Sequence, residues 1–281
     1  MKIEVIDFST GYGHAEVLHH LTFSINKPGI YVVLGKNGAG KTTLFRAMTG
    51  MLRTFSGAIK FDGYSRSETK VEIAYLSHRN SIPAGLTVRA TMNFFGRIEG
   101  VSTEEINNII SRFDLTELLD KNVQNLSQGQ RKRVSLAKSL IGNKSLMILD
   151  EPTANLDPKV SAEIRDLIRV QSKDKIVLYS SHNLYEAMEL GMEVIALNNG
   201  DLVYSGEIEG LKTDSYTIGI RGKGIENEAT NYTINGKYFV FKLGSANEAA
   251  ELISKLTSAG AMIYEVKEMS NPLEKFFNEA S

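Results

Sequence analysis

Gly35-Lys36-Asn37-Gly38-Ala39-Gly40-Lys41-Thr42 follows directly on the apolar run Ile30-Tyr31-Val32-Val33-Leu34. It fits the phosphate-loop pattern G-x-x-x-x-G-K-[ST], at the end of a strand-like segment where that pattern functions. Glycines let successive main-chain N–H groups converge on phosphate oxygens that a Cβ would obstruct. Lys41 brings a mobile positive charge to β- and γ-phosphates, and Thr42 offers a hydroxyl to Mg²⁺. Thr43 continues the loop into the run Thr43-Leu44-Phe45-Arg46-Ala47-Met48, read as a helix whose N-terminus faces the anion. The chemistry indicated is nucleotide binding.

A second element, this one acidic, points the same way. Leu146-Met147-Ile148-Leu149-Asp150-Glu151 is an apolar strand ending in two carboxylates. At the C-terminal end of such a strand an acid lies beside the phosphate loop and can hold the magnesium shell. Two adjacent acids suggest divided labour, with Asp150 on the metal side and Glu151 toward the attacking water. A fourth apolar strand ends in Ser180-Ser181-His182, and Leu126-Ser127-Gln128-Gly129-Gln130 opens a helical pattern running to Leu140.

Leu126-Ser127-Gln128-Gly129-Gln130 resembles the L-S-G-G-Q signature of ATP-binding cassette (ABC) proteins, with Gln128 at the central glycine. The ordered set of phosphate loop, signature, strand-Asp-Glu and Ser-Ser-His resembles an ABC ATPase over about residues 1–210. The resemblance implies ATP and Mg²⁺ as cofactors and hydrolysis to ADP and phosphate. It implies that Ser127, Gln128, Gly129 and Gln130 cap the ATP of a second ABC subunit, in a homodimer or heterodimer. Asn155-Leu156-Asp157 resembles the loop that crosses that interface. His182 resembles the switch histidine that senses the γ-phosphate, and Tyr12 the aromatic that stacks on adenine. His78 stands where the family usually has a magnesium-touching glutamine, so the resemblance implies weaker metal contact there. The ending Asn271-Pro272-Leu273-Glu274-Lys275-Phe276-Phe277 resembles the tail of ATPases paired with ABC-2-type export permeases. That implies an exporter ATPase, cytoplasmic and held on the inner membrane face by separate transmembrane permease subunits. A soluble ABC ATPase acting outside transport and a nucleotide-sensing module are the rival readings.

These residues need a scaffold, and composition bounds it. The 281 residues are 42% hydrophobic and 23% charged, with a net charge of −1 and no cysteine. Such values suit a globular chain with a sizeable core, and they exclude disulfides, thiolate zinc sites and cysteine nucleophiles. Near-neutral charge gives no support to a nucleic-acid partner by long-range attraction. Early acidic residues in Met1-Lys2-Ile3-Glu4-Val5-Ile6-Asp7 speak against a signal peptide.

Apolar strand-like runs at 30–34, 72–76, 145–149 and 175–179 alternate with helical patterns, predicting an α/β fold with a largely parallel core sheet. The resemblance implies that this is a P-loop ABC-type cassette whose mixed core sheet is joined by an antiparallel β part. Runs 194–197 and 202–205 read as a closing hairpin. From about 84 to 142 helix signals dominate, as in an inserted helical subdomain. Within it Phe94-Phe95 is read as core. Arg131-Lys132-Arg133 is read as solvated or as long-range support for phosphate charge. Residues 211–281 predict a small α+β domain, with a helix at 248–258 and a short terminal helix at 272–280.

Overall fold

The computed structural model describes residues 1–69, 71–77, 82–83, 85–142, 144–208, 216–229 and 231–269. His78 and the segment 271–277 lie outside them, as does the terminal helix expected at 272–280. The chain divides into two compact units, Met1–Ile208 and Glu209–Ser281.

The first unit opens with a long hairpin of β1 (Ile3–Tyr12) and β2 (Ala15–Ile25). β3 (Gly29–Leu34) leads through the glycine loop into α1 (Lys41–Met48). Then come β4 (Thr54–Phe61), β5 (Tyr64–Ser65) and β6 (Ile73–Leu76). A helical stretch follows: α2 (Val88–Glu99), α3 (Thr103–Arg112) and α4 (Gln128–Ser139). The unit closes with β7 (Leu146–Leu149), α5 (Pro158–Gln171), β8 (Ile176–Ser181), α6 (Leu184–Leu190), β9 (Glu193–Asn198) and β10 (Asp201–Glu207).

Two sheets result, in the orders β2-β1-β4-β5 and β10-β9-β3-β8-β7-β6. The first is antiparallel, whereas in the second β9, β3, β8, β7 and β6 run parallel and β10 is an antiparallel edge. The parallel register pairs Leu34 with Ser181, Leu149 with Tyr179 and Leu76 with Leu149. The residues that follow these strand ends are thereby brought to one edge of the sheet, as open α/β sheets place their sites.

One apolar cluster joins the sheets. Alternate residues Tyr31 and Val33, Leu146 and Ile148, Ile176 and Leu178, Ile195 and Leu197 point into it. Leu44, Phe45 and Met48 of α1 meet them there together with Phe8, Leu18 and Phe61 of the antiparallel sheet. This period of two is the strand signature, and α1 is anchored through its apolar face. The β9–β10 turn braces the phosphate loop, since Gly200 N–H donates to Ala39 O at 3.2 Å and Gly200 O accepts from His19 N–H at 3.0 Å.

The helical stretch has conventional ends. Thr87 Oγ1 accepts from Ala90 N–H, and Ser102 Oγ from Glu105 N–H, as N-caps do. Lys144 Nζ ties the stretch to the sheet by reaching Glu99 at 2.7 Å and Glu72 at 3.3 Å. The expectation that Phe94-Phe95 is core fails for Phe94, which is 50% exposed. α2 buries Val88, Thr91, Met92 and Gly96 instead, a stripe that leaves Phe94 outside it. Phe95 lies beneath the Lys138 ammonium, 4.7 Å from its ring centre.

The second unit contains β11 (Tyr216–Lys223), α7 (Ile225–Glu228), β12 (Thr233–Asn235), β13 (Tyr238–Leu243), α8 (Ala246–Ser258) and β14 (Met262–Glu268). Its antiparallel sheet, ordered β12-β13-β11-β14, packs Ile218, Ile220 and Phe241 against Ala249 and Leu256 of α8. No helix among the described residues is long and apolar enough to cross a membrane.

Phe45 is the largest of the fully buried α1 side chains in the cluster that joins both sheets. Phe45→Ala is expected to destabilise the first unit by about 3–5 kcal/mol, read from its urea unfolding midpoint.

Candidate nucleotide-binding and hydrolysis site

The phosphate loop turns away from β3 at Gly35, whose N–H donates to Ser181 O at 3.3 Å. Gly40 ends the loop at φ +105, where a Cβ would stand 2.4 Å from Leu18 Cδ2. The left-handed backbone disfavours any L side chain there, and the Leu18 side chain would have to shift to admit one. The first turn of α1 then presents Lys41, Thr42 and Thr43.

Lys41 is 5% exposed. Its Nζ donates to the carbonyls of Gly35 at 2.8 Å and Lys36 at 3.2 Å, and lies 3.6 Å from Glu151 Oε1. Burial pushes the ammonium below its ordinary range, while Glu151 and then Asp150 pull it back. Phosphate oxygens entering beside the loop would give this buried cation stronger acceptors than two neutral carbonyls.

Asp150 follows β7 and is 1% exposed. Thr42 Oγ1 donates to its Oδ2 at 2.8 Å, and Ser180 Oγ donates to its Oδ1 at 2.8 Å. Thr42 and Asp150 therefore present two hard oxygen donors at one point. That pair suits a small divalent cation that keeps most of its water and takes further ligands from phosphate. Among the described residues no three His, Asp or Glu side chains cluster for a metal.

Glu151 adopts φ +48, a left-handed conformation that costs a non-glycine residue about 1–2 kcal/mol. Its N–H donates to Ser180 Oγ at 2.8 Å, so one hydroxyl steadies both acids. Its Oε1 lies 3.6 Å from His182 Nδ1 as well as 3.6 Å from Lys41. His182 follows β8 with its side chain more than half exposed. Asn37, Thr42, Arg46, Tyr75, Asp150, Glu151 and His182 line a common cleft of about 1010 Å³.

Tyr12, at the end of β1, is partly exposed and accepts a hydrogen bond on its hydroxyl from Arg46 at 2.9 Å. Arg46 lies in the cleft wall, so Tyr12 is tied to the site through α1.

Ser127, Gln128, Gly129 and Gln130 do not line this cleft. Ser127 caps α4, its Oγ accepting from Gln130 N–H at 3.2 Å while Gln130 Oε1 accepts from Ser127 N–H at 3.1 Å. This reciprocal capping box holds the helix N-terminus, with Ser127 and Gln128 exposed. Gly129 is buried, and a Cβ there would stand 2.6 Å from Val160 Cγ1 of α5. Asp157 caps α5, accepting from Val160 N–H at 3.0 Å, with Pro158 in the first turn. Asn155 takes φ +60, which asparagine tolerates better than most side chains.

Two features escaped the sequence reading. Ser180 bridges Asp150 and Glu151, a role that its place in the Ser180-Ser181-His182 run does not reveal. The basic run is not solvated at Lys132, while Arg131 and Arg133 are half-buried. Arg131 donates to Leu126 O and Gln124 O, and Arg133 reaches Asp114 and Glu163. Lys132 is 5% exposed and donates to Glu151 O at 3.4 Å. Helical periodicity explains this, because Lys132 lies three residues after buried Gly129 on the same face of α4.

Ser180→Ala would leave a buried carboxylate oxygen and the Glu151 N–H without these partners. It is expected to lower unfolding stability by about 1–3 kcal/mol, measured by urea denaturation.

Comparison with known proteins places this geometry. A family model described as "ABC transporter" matches residues 18–154. The chain is 29% identical over 280 residues to the uncharacterised ABC transporter ATP-binding protein YxlF of Bacillus subtilis, covering 95% of each chain. It is 30% identical over 206 residues to the ABC transporter ATP-binding protein NatA of B. subtilis, covering 70% of this chain and 84% of NatA. The solved structure of CbiO1 from Clostridium perfringens, part of the ABC transporter complex CbiONQ, superposes with a TM-score of 0.65 at 26% identity. That match covers 73% of this chain and 88% of CbiO1.

Proposed function

From the premise that this chain belongs to the ABC transporter family, as an ATP-binding subunit and hence an ATPase, we propose that it powers an exporter. In this reading two nucleotide-binding subunits close head to tail on two ATP molecules, and that closure moves separate membrane-spanning permease chains. The observation that carries the reading is the convergence of Thr42, Asp150, Glu151 and His182 on one cleft, with Lys41 3.6 Å from Glu151, while Ser127 lies outside it.

Phosphoryl transfer needs positioning and charge stabilisation more than covalent chemistry. The main-chain N–H groups of the loop and the α1 N-terminus bind the phosphates, and Lys41 leaves the Gly35 and Lys36 carbonyls for the β- and γ-oxygens. Tyr12 supports the adenine face. Thr42 and Asp150 would hold Mg²⁺, which when bound supplies further neutralisation of phosphate charge. Glu151 orients a water and takes its proton as the oxygen attacks the γ-phosphorus, while the bond to the ADP oxygen breaks. His182, beside Glu151, orients the same water and the γ-phosphate. From a second copy, Ser127 and the exposed N-terminus of α4 close over the nucleotide, and the Asn155–Asp157 loop crosses the interface. The export direction rests on the resemblance of Asn271-Pro272-Leu273-Glu274-Lys275-Phe276-Phe277 to ATPases of export permeases. A sensor that binds without hydrolysing would not need Glu151 and His182 so placed.

Glu151→Gln tests the hydrolytic assignment. ATP affinity is expected to stay within about threefold while phosphate release falls by about 10²- to 10⁴-fold, measured by nucleotide titration and a phosphate assay. Near-normal turnover would remove Glu151 from its role.

A further inference from the structure

The buried face of α4 carries a lysine where an apolar side chain would pack without penalty. Lys132 follows Gly129 by three residues and shares its face. Gly129 has no space for a Cβ against Val160, so α4 lies close to α5, and Lys132 is directed inward beneath the turn after β7. A buried ammonium is retained at a desolvation cost unless a charge partner compensates it. Asp150 and then Glu151 are the compensating anions, but they offset only part of the burial, which leaves the Lys132 ammonium pushed down to about 8.

Glu151 is the residue that most needs such support. Its φ of +48 is sustained from outside, and sites hold such strained residues by surrounding contacts. On its N-terminal side the N–H is taken by Ser180 Oγ at 2.8 Å. On its C-terminal side the carbonyl accepts from Ala154 N–H at 3.3 Å and from Lys132 Nζ at 3.4 Å. The Ala154 bond is local to the turn, whereas Lys132 comes from another helix and anchors the turn to it. Arg131 and Arg133 are engaged elsewhere, with the 124–126 loop and with Asp114 and Glu163.

We propose that Lys132 is a positioning residue for hydrolysis, fixing the main chain of Glu151 from the helix that Ser127 caps, so that the Glu151 carboxylate meets the attacking water. The inference rests on the reading of Glu151 as the base that takes the water's proton. Lys132 itself stays out of the proton transfer.

The test compares Lys132→Met, which removes donor and charge, with Lys132→Gln, which keeps an N–H donor. Both are made in the full chain and in the Glu151→Gln background, with unfolding midpoints recorded beside the kinetics. Lys132→Met is expected to lower kcat by about tenfold or more with KM for ATP changed less than about threefold. Lys132→Gln is expected to recover part of that loss. In the Glu151→Gln background Lys132→Met should change the residual rate by less than about twofold, because the group it positions is already disabled. A folded Lys132→Met protein with kcat within about twofold of wild type would overturn the proposal, as would an equal fractional loss in both backgrounds. Should Lys132→Met fail to fold, Lys132→Gln is read the same way. A loss confined to the background that keeps Glu151 supports the proposal, and equal rates or equal losses in both contradict it. Failure here is distinct from failure of the hydrolytic reading, which Glu151→Gln alone decides.

Discussion

A carboxylate with 1% exposure is unstable unless donors replace the water it has lost, and Asp150 has one on each oxygen. Thr42 supplies one from the first turn of α1, and Ser180 supplies the other from β8. Three elements distant in the chain are therefore joined at a single buried charge. The parallel register of β3, β8 and β7 makes this possible by bringing the ends of those strands together. The apolar cluster around Leu44, Phe45 and Met48 then sets the depth of α1, and with it the position of Lys41 and Thr42. Loss of packing under α1 and loss of the Ser180 hydroxyl would disturb the same geometry from opposite sides.

Around that fixed point the site stores tension. Lys41 is a buried cation held by neutral carbonyls, with Glu151 at 3.6 Å. Glu151 keeps a left-handed backbone beside it. An arriving triphosphate would relieve the first by giving Lys41 anionic oxygens, and would leave Glu151 with His182 as its near neighbour. The exposed start of α4 stands outside this cleft, with its capping box already made. In the proposed assembly that leaves the helix N-terminus for a second copy's nucleotide. Each chain then contributes a nearly complete phosphate site and the cover for another.

Much of this was legible because the relevant signals are local. A glycine-rich loop after the apolar run 30–34 needs no tertiary information to be recognised, nor does a four-residue apolar strand ending in Asp150 and Glu151. The antiparallel sheet formed by β1, β2 and β4 was not legible strand by strand. Asp7, His20 and Gly57 adopt positive φ there, and register shifts break the alternation by which a half-buried strand is read. Lys132 was misread because three successive basic residues normally signal solvent, and only the packing of α4 against α5 shows which one turns inward. Phe94 was misread in the opposite sense, since a paired aromatic suggests core but α2 directs its buried stripe elsewhere. Ser180 has no sequence signal beyond its place before His182.

The most direct test of a site shared between two chains is the rate of ATP hydrolysis per chain, followed across protein concentration. If Ser127 and the start of α4 complete the cleft of a second copy, the rate per chain rises with concentration and levels off as dimers saturate. A measurable rate per chain that stays constant across that range would mean that one chain hydrolyses ATP alone, and would contradict the shared site.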